Sequence, residues 1–318
     1  MLTNVVIFII GIAVLSWAAD RFVYGASALA RNSGVSPMMI GLTIVAMGSS
    51  APEIVVSVIA SLSGNRDTAV GNALGSNITN IALVLGVTAL IKPIIVSSLT
   101  VKREMPILLA ICLLASWFIY DGELTRVEGI SLSIGLVIVL LGMAYLSLMT
   151  KKSDPIHHET EDEIPKGVPN LVAWLWIILG MALLPASAHF IIASATSIAE
   201  YLGVSQLVIG LTVIALGTSL PELAASVAGV MKNEHDLAMG NIVGSNIFNL
   251  LGVLAMPGLL APGMLDPAAA NRDIYVMLGL TVLLIVYSFD LLGRRRINRL
   301  EALSFVAAFF AYQWVLFG

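Results

Sequence analysis

The chain has 318 residues, of which 58% are hydrophobic and 11% charged, with a mean hydropathy of +0.96. Soluble domains carry roughly a quarter charged residues, so a water-soluble globule is excluded. The formal net charge of -4 gathers largely in one acidic loop and offers no basic surface for nucleic acid.

Between the charged positions run apolar stretches of about 20 residues, the length an α-helix needs to cross a hydrocarbon core roughly 30 Å thick. A membrane β-barrel would show short alternating segments instead. In chain order the expected spans are 5–30, 38–62, 68–91, 105–120, 127–149, 171–199, 207–231, 237–260, 274–291 and 302–317. The expected fold class is therefore all-α integral membrane, with ten transmembrane helices. Residues 1–19 have no Lys or Arg before Arg21 and read as a retained first helix, because a signal peptide needs a basic start. Cys112 is the only cysteine, so there is neither a disulfide framework nor a thiolate metal site. The longest hydrophilic stretch holds Pro155, Pro165 and Pro169 with His157, His158, Glu159, Glu161, Asp162 and Glu163. It divides the chain into 1–150, a linker 151–170, and 171–318.

Cytoplasmic loops carry an excess of Lys and Arg. Twelve basic residues fall in one set of alternate loops (Arg31; Lys92, Lys102, Arg103; Lys151, Lys152, Lys166; Lys232; Arg294, Arg295, Arg296, Arg299), and three in the other (Arg66, Arg126, Arg272). This count expects both termini outside and the linker in the cytoplasm, in a cell membrane.

The sequence repeats. Residues 34–81 align without a gap on 203–250, at a constant offset of 169, with 23 of 48 positions identical. The offset covers five helices, an odd number, so the second copy enters the membrane from the opposite side. Inverted repeats of this kind place transporter substrate sites near the midplane, where interrupted helices of the two halves meet.

The repeats agree best where they break helical rules, at Gly48-Ser49-Ser50-Ala51-Pro52-Glu53 and Gly217-Thr218-Ser219-Leu220-Pro221-Glu222. Proline removes a backbone donor, so carbonyl oxygens near Ala46, Met47, Ala215 and Leu216 are expected to leave the helical ladder and become hard ligands. An acidic residue at membrane depth costs about 2.5 to 3.5 kcal/mol on insertion scales and is a functional candidate by default. No Lys, Arg or His lies at comparable depth to pair with Glu53 or Glu222, which leaves a bound cation as the partner. An anionic, all-oxygen donor set suits Ca²⁺ and also Na⁺, whereas transition metals call for His or Cys. The companion segments Gly71-Asn72-Ala73-Leu74-Gly75-Ser76-Asn77-Ile78-Thr79-Asn80 and Gly240-Asn241-Ile242-Val243-Gly244-Ser245-Asn246-Ile247-Phe248-Asn249 carry glycines for close helix approach. Ser76 with Asn80, and Ser245 with Asn249, are spaced four apart and share a helical face, so they are expected to line the ion path.

These residues resemble the two α-repeats of the sodium/calcium exchanger family, within the calcium/cation antiporter superfamily. The resemblance covers the whole ten-helix plan. It implies that Glu53 and Glu222 are central Ca²⁺ and Na⁺ ligands, that Ser49, Ser50, Thr218 and Ser219 supply motif ligands, and that Ser76, Asn80, Ser245 and Asn249 complete the set. It also implies that the first and sixth helices slide against the other eight. Two positions depart from the family pattern: Ser49 stands where Thr is usual, and Asn249 where some archaeal and potassium-dependent members have Asp. Two carboxylates in place of three argue against potassium co-transport. Proton-coupled relatives place an acid after Gly-Asn-Ala, which is absent here.

The expected function is secondary active exchange of Ca²⁺ for Na⁺ by alternating access, in a monomer surrounded by lipid, with no cofactor and no enzymatic activity. The alternatives are a proton/cation antiporter on the same site and a cation channel. No membrane-embedded Ser/His or His/Glu/His set points to a hydrolase. Asp20-Arg21, Lys102-Arg103-Glu104, Asp121 and Glu123 read as interfacial or loop charges, His189 as a packing residue, and Trp174, Trp176 and Trp314 as an aromatic belt.

Overall fold

The structure is a computed structural model that describes residues 2–35, 37–62, 64, 66–98, 100–149, 167–201, 215–289 and 295–317. Most of the expected linker, the start of the seventh expected span (207–214) and Arg294 lie outside the described residues.

The described residues form ten helical segments. They are α1 (Leu2–Ser33), α2 (37–62), α3 (Arg66–Ile91), α4 (100–119), α5 (Arg126–Met149), α6 (Asn170–Tyr201), α7 (215–231), α8 (His235–Leu260), α9 (Ala269–Ser288) and α10 (Arg299–Phe317). By length and composition, five of them each hold a stretch able to cross a membrane (α1, α3, α6, α8 and α9), and α2 is a sixth candidate as a pair of helices bent by 52°. At about 1.5 Å per residue, the 32 residues of α1 and of α6 each reach about 48 Å, well beyond a 30 Å hydrocarbon core. A helix of that excess length accommodates by tilting.

Positions 169 apart share unusual backbone. Ser50 breaks α2 at φ -83°, ψ 9°, and Ser219 breaks α7 at φ -89°, ψ 4°. π-helical turns begin at Asn80 and Asn249 inside α3 and α8, and at Thr100 and Ala269 at the start of α4 and α9. Gly64 (φ 78°) and Asn233 (φ 62°) turn the chain between the second and third helices of each half, and Asn tolerates this left-handed region better than most residues. The duplication read in the sequence is thus a duplication of backbone irregularities, which generic helix formation would not reproduce.

The opening π-turns correct two boundaries. α4 and α9 begin five residues earlier than expected, and take in Lys102-Arg103-Glu104 and Arg272-Asp273, which the sequence reading assigned to loops. In each turn an arginine pairs with the acid beside it: Arg103 with Glu104 at 2.8 Å and Arg272 with Asp273 at 2.7 Å, with the Tyr312 hydroxyl of α10 donating to Asp273 at 3.0 Å.

Two short antiparallel pairs tie the halves together. β1 (Ile94–Ile95), after α3, pairs with β4 (Arg296–Ile297), before α10. β2 (Glu123–Leu124), before α5, pairs with β3 (Gly263–Met264), after α8. Each pair joins loops that lie on one face of an alternating ten-helix path, and the two pairs lie on opposite faces. The fifth helix of each half accordingly packs on the other half: Gly129 of α5 meets Gly258 of α8 backbone to backbone, and Gly86 of α3 meets Ala302, Phe305 and Val306 of α10.

The apolar interior falls into two separate clusters. The larger joins α3, α4, α8, α9 and α10 through residues such as Leu85, Leu108, Ile247, Met277 and Phe305. The smaller joins α1 to α6 and to one side of α2 and α7, through Phe22, Val23, Ile177, Val45 and Ala225. α1 and α6 pack closely along each other; a Cβ on Gly180 would stand 2.6 Å from Phe22, and one on Gly25 2.7 Å from the Ala173 carbonyl.

Candidate functional site

The breaks in α2 and α7 arise from their sequences. Pro52 has no N–H to offer the carbonyl of Gly48, nor Pro221 that of Gly217, and the residue two before each proline, Ser50 or Ser219, leaves helical geometry. Helices resume at Ala51 and Leu220, so Glu53 and Glu222 lie in the first turn after each break. One expectation changes here. The Ala46 carbonyl is not released from the ladder, since it accepts the Ser50 N–H at 3.0 Å. The carbonyls that lose a donor to proline are those of Gly48 and Gly217. The side chain of Met47 is exposed, so only its main chain faces the break, and Leu216 is half-buried on the segment entering the second break, just after Ala215.

Glycines bring the first break against α8. A Cβ on Gly244 would stand 2.6 Å from the Ala46 Cβ and 2.7 Å from the Leu42 carbonyl, and one on Gly41 would stand 2.5 Å from the Leu237 carbonyl. Residues of the two halves meet as a result. The Ser50 hydroxyl donates to Oε1 of Glu222 at 3.0 Å, and the Ser49 hydroxyl lies 3.1 Å from Oδ1 of Asn241 and 3.4 Å from the hydroxyl of Ser245. Glu53 faces Thr218 of the opposite break, and the two carboxylates are close enough to repel one another.

Ser49, Ser50, Glu53, Ser76, Asn80, Thr218, Ser219, Glu222, Ser245 and Asn249 are each no more than 4% exposed. Buried polar groups in proteins are overwhelmingly hydrogen-bonded, yet both oxygens of Glu53, Oε2 of Glu222, the Ser219 hydroxyl and both amide heteroatoms of Asn80 and Asn249 have no hydrogen-bond partner. Among the described residues, no basic side chain pairs with either carboxylate. Nor do three His, Cys, Asp or Glu side chains gather anywhere among them. Two carboxylates with the hydroxyls of Ser50 and Thr218 beside them, and with acceptors unspent, have a composition that suits a hard cation.

Near this set stand polar residues to which the motif spacing gives no role, Asn72, Asn241, Ser57 and Ser226. Asn72 and Asn241, at equivalent positions, donate through Nδ2 to the main-chain carbonyls of Glu53 (2.9 Å) and Glu222 (3.2 Å). Asn241 also donates to Ser226 at 3.0 Å, and Ser57, the counterpart of Ser226, donates to the Val253 carbonyl at 2.8 Å, in the π-turn of α8. Their identity in both repeats was the available signal. Asn77 and Asn246 are buried one residue round the helix from Ser76 and Ser245, with their amide oxygens unpartnered.

Away from this set, Asp20 and Arg21 are more than anchors. Lys232 after α7 pairs with Asp20 at 2.8 Å, and Arg21 lies over the rings of Tyr24 and Trp176. His189 is exposed and meets Phe190 edge-on. Cys112 is buried, 3.5 Å from the Thr281 hydroxyl of α9.

A family model described as sodium/calcium exchanger protein matches residues 3–146 and 172–318. CaxA of Alkalimonas amylolytica is 53% identical over 318 residues, covering 100% of both chains. Inner membrane protein YrbG of Escherichia coli is 43% identical, covering 89% of this chain and 88% of its own. The sodium/calcium exchanger MaX1 of Methanosarcina acetivorans is 29% identical over 99% of this chain and 98% of its own. A solved structure of the sodium-calcium exchanger NCX_Mj, soaked with Na⁺ and Ca²⁺, superposes with a TM-score of 0.84 at 30% identity, covering 98% of this chain and 97% of that one.

Proposed function

The chain belongs to the sodium/calcium exchanger family, a family of multi-pass membrane cation antiporters, and from that premise we propose that it exchanges Ca²⁺ for Na⁺ at Glu53 and Glu222. The observation that carries this reading is the pair of buried carboxylates, one from each repeat, with three of their four oxygens unpartnered and no basic neighbour among the described residues. Ser49, Ser50, Thr218 and Ser219, with carbonyls at the two breaks (Met47, Ala215, Leu216), supply neutral oxygens beside them, and Ser76, Asn80, Ser245 and Asn249 complete the set from α3 and α8.

Exchange follows from charge. The empty site carries two negative charges that water cannot reach, and moving it between membrane faces in that state is costly. Ca²⁺ neutralises it, and so does a load of Na⁺, but the two loads compete for the same oxygens. Only occupied carriers cross, so each ion moves only in exchange for the other. Three Na⁺ would leave one net positive charge, which makes the exchange electrogenic.

The separation of the interior into two clusters supports motion of α1 and α6 against the remaining eight helices. The proposed donors of both repeats lie within one chain, which is compatible with a functional monomer. The count of basic residues supports both termini outside and residues 151–170 in the cytoplasm, and the inner-membrane relative supports a cytoplasmic membrane location. Residues 1–150 and 171–318 are the units of duplication.

The test is Ca²⁺ uptake into proteoliposomes loaded with Na⁺, beside vesicles given only an outward proton gradient, each repeated with Glu53→Gln. Uptake driven by Na⁺ and lost in the variant is the expected result. Uptake driven by protons would keep the site and change the coupling ion. Flux that needs no counter-ion would point to a channel.

A further inference from the structure

A hydroxyl has one proton and two lone pairs, so it can coordinate a cation only if its proton points elsewhere. Around Ser49 the best-placed acceptor is Oδ1 of Asn241, at 3.1 Å; the Ala46 carbonyl and the Ser245 hydroxyl lie at 3.3 and 3.4 Å. The orientation of the Asn241 amide is fixed by what lies on its other side. Its Nδ2 faces the Glu222 carbonyl at 3.2 Å and the Ser226 hydroxyl at 3.0 Å. A flipped amide would set oxygen against the carbonyl oxygen, so Oδ1 must face Ser49. Asn241 is fully buried, and water does not offer these groups an alternative. In the first half, Asn72 makes the equivalent bond to the Glu53 carbonyl, at 2.9 Å.

We propose that Asn72 and Asn241 are positioning residues for ion binding: each ties the main chain of a motif glutamate to the neighbouring helix, and Asn241 takes the Ser49 proton so that the Ser49 oxygen presents lone pairs to the cation. The proposal rests on the ion-site reading given above. A carbonyl held by the facing helix fixes the Cα from which the carboxylate projects, in the first turn after a break where the helical ladder is incomplete. Asn241 joins Ser49 of one repeat to Glu222 of the other, so a single amide sets the geometry of ligands from both halves.

The experiment measures the dependence of uptake on Ca²⁺ concentration in proteoliposomes, under whichever gradient drives the wild-type protein, for Asn241→Ala, Asn72→Ala, Ser49→Ala, Glu222→Gln and the double variant Asn241→Ala/Ser49→Ala. Loss of the bond that holds each glutamate's carbonyl is expected to raise the Ca²⁺ KM about tenfold in Asn72→Ala and by at least as much in Asn241→Ala, which loses its bonds to Ser49 and Ser226 as well, with kcat little changed. In the double variant the Ser49 change should add less than it does alone, because part of the Asn241 effect runs through the bond the two share. An amide that only packs helices together would lower protein yield and leave KM alone. An unchanged KM in both Asn variants, or full additivity in the double variant, overturns the proposal. Should Asn241→Ala fail to fold, Asn72→Ala decides by itself: a raised KM supports the role and a wild-type KM overturns it. If Ser49→Ala and Glu222→Gln both leave uptake at the wild-type level, the ion-site reading fails and the positioning role falls with it. If those two lose uptake while both Asn variants keep the wild-type KM, the positioning role alone is wrong.

Discussion

The hydroxyl of Ser50 donates to Oε1 of Glu222 at 3.0 Å, so the break of α2 is joined to the carboxylate that follows the break of α7. The Ser50 proton is spent on the carboxylate, which leaves both oxygens with lone pairs free for one shared cation. A buried hydrogen bond to a charged group is worth about 1.5–3 kcal/mol, so Ser50→Ala is expected to raise the Ca²⁺ KM by roughly ten- to a hundredfold. Ser50→Thr keeps the hydroxyl and should stay near wild type. Concentration dependence of Ca²⁺ uptake in proteoliposomes checks both.

Glu53→Gln and Glu222→Gln keep the shape of the side chain and remove one charge from the site. Each is expected to abolish Ca²⁺ transport while the purified protein elutes as the wild type does; wild-type uptake in either would remove that residue from the site. With two carboxylates and three Na⁺ for one Ca²⁺, one net charge crosses per cycle, worth about 2.3 kcal/mol per 100 mV. An imposed membrane potential should therefore change the exchange rate, and a rate indifferent to voltage would rule out three-for-one coupling.

Gly244→Ala tests the contact that brings α8 against the first break. The added Cβ would stand 2.6 Å from the Ala46 Cβ and 2.7 Å from the Leu42 carbonyl. Because one of these neighbours is backbone, α2 itself must move. Overpacking costs about 1–3 kcal/mol, so both thermal stability in detergent and Ca²⁺ uptake should fall. Gly279→Ala in α9 meets nothing within 4 Å and is the matched control, expected to leave both unchanged.

The pair of Lys232 and Asp20 links α1 to the end of α7 at 2.8 Å, with both side chains about a third exposed. Pairs of that exposure contribute about 0–1 kcal/mol. Lys232→Gln should accordingly leave the Ca²⁺ KM as it is and change the turnover rate by less than about fivefold, in a way that high salt reproduces in the wild-type protein. A large shift in KM would mean that the pair communicates with the ion site.

Much of this architecture could be read in advance, because duplication marks it twice. Ser50 and Ser219 break their helices where hydroxyls, proline and glutamate coincide in both repeats, and one sequence comparison finds them. The early starts of α4 and α9 were hidden because Lys102-Arg103-Glu104 has the composition of a loop; the Ser97 hydroxyl accepts the Thr100 N–H at 3.3 Å where α4 opens, a contact that composition does not reveal. The partners of Asn72 and Asn241 were hidden for another reason. They bind main-chain carbonyls, and a carbonyl is present at every residue whatever the side chain. The two-residue strands were beyond reach, since two residues carry no periodicity.

Those strands bear on the order in which the protein can be completed. β2 and α5 leave the ribosome long before β3 and α8, on which they pack, and β1 with α3 waits longer still for β4 and α10. N-terminal units generally fold first during synthesis, but here the first half has no finished form of its own. Its fifth helix must remain in the bilayer without its partner until the second half arrives, and the last helix to be made closes the packing around one of the first.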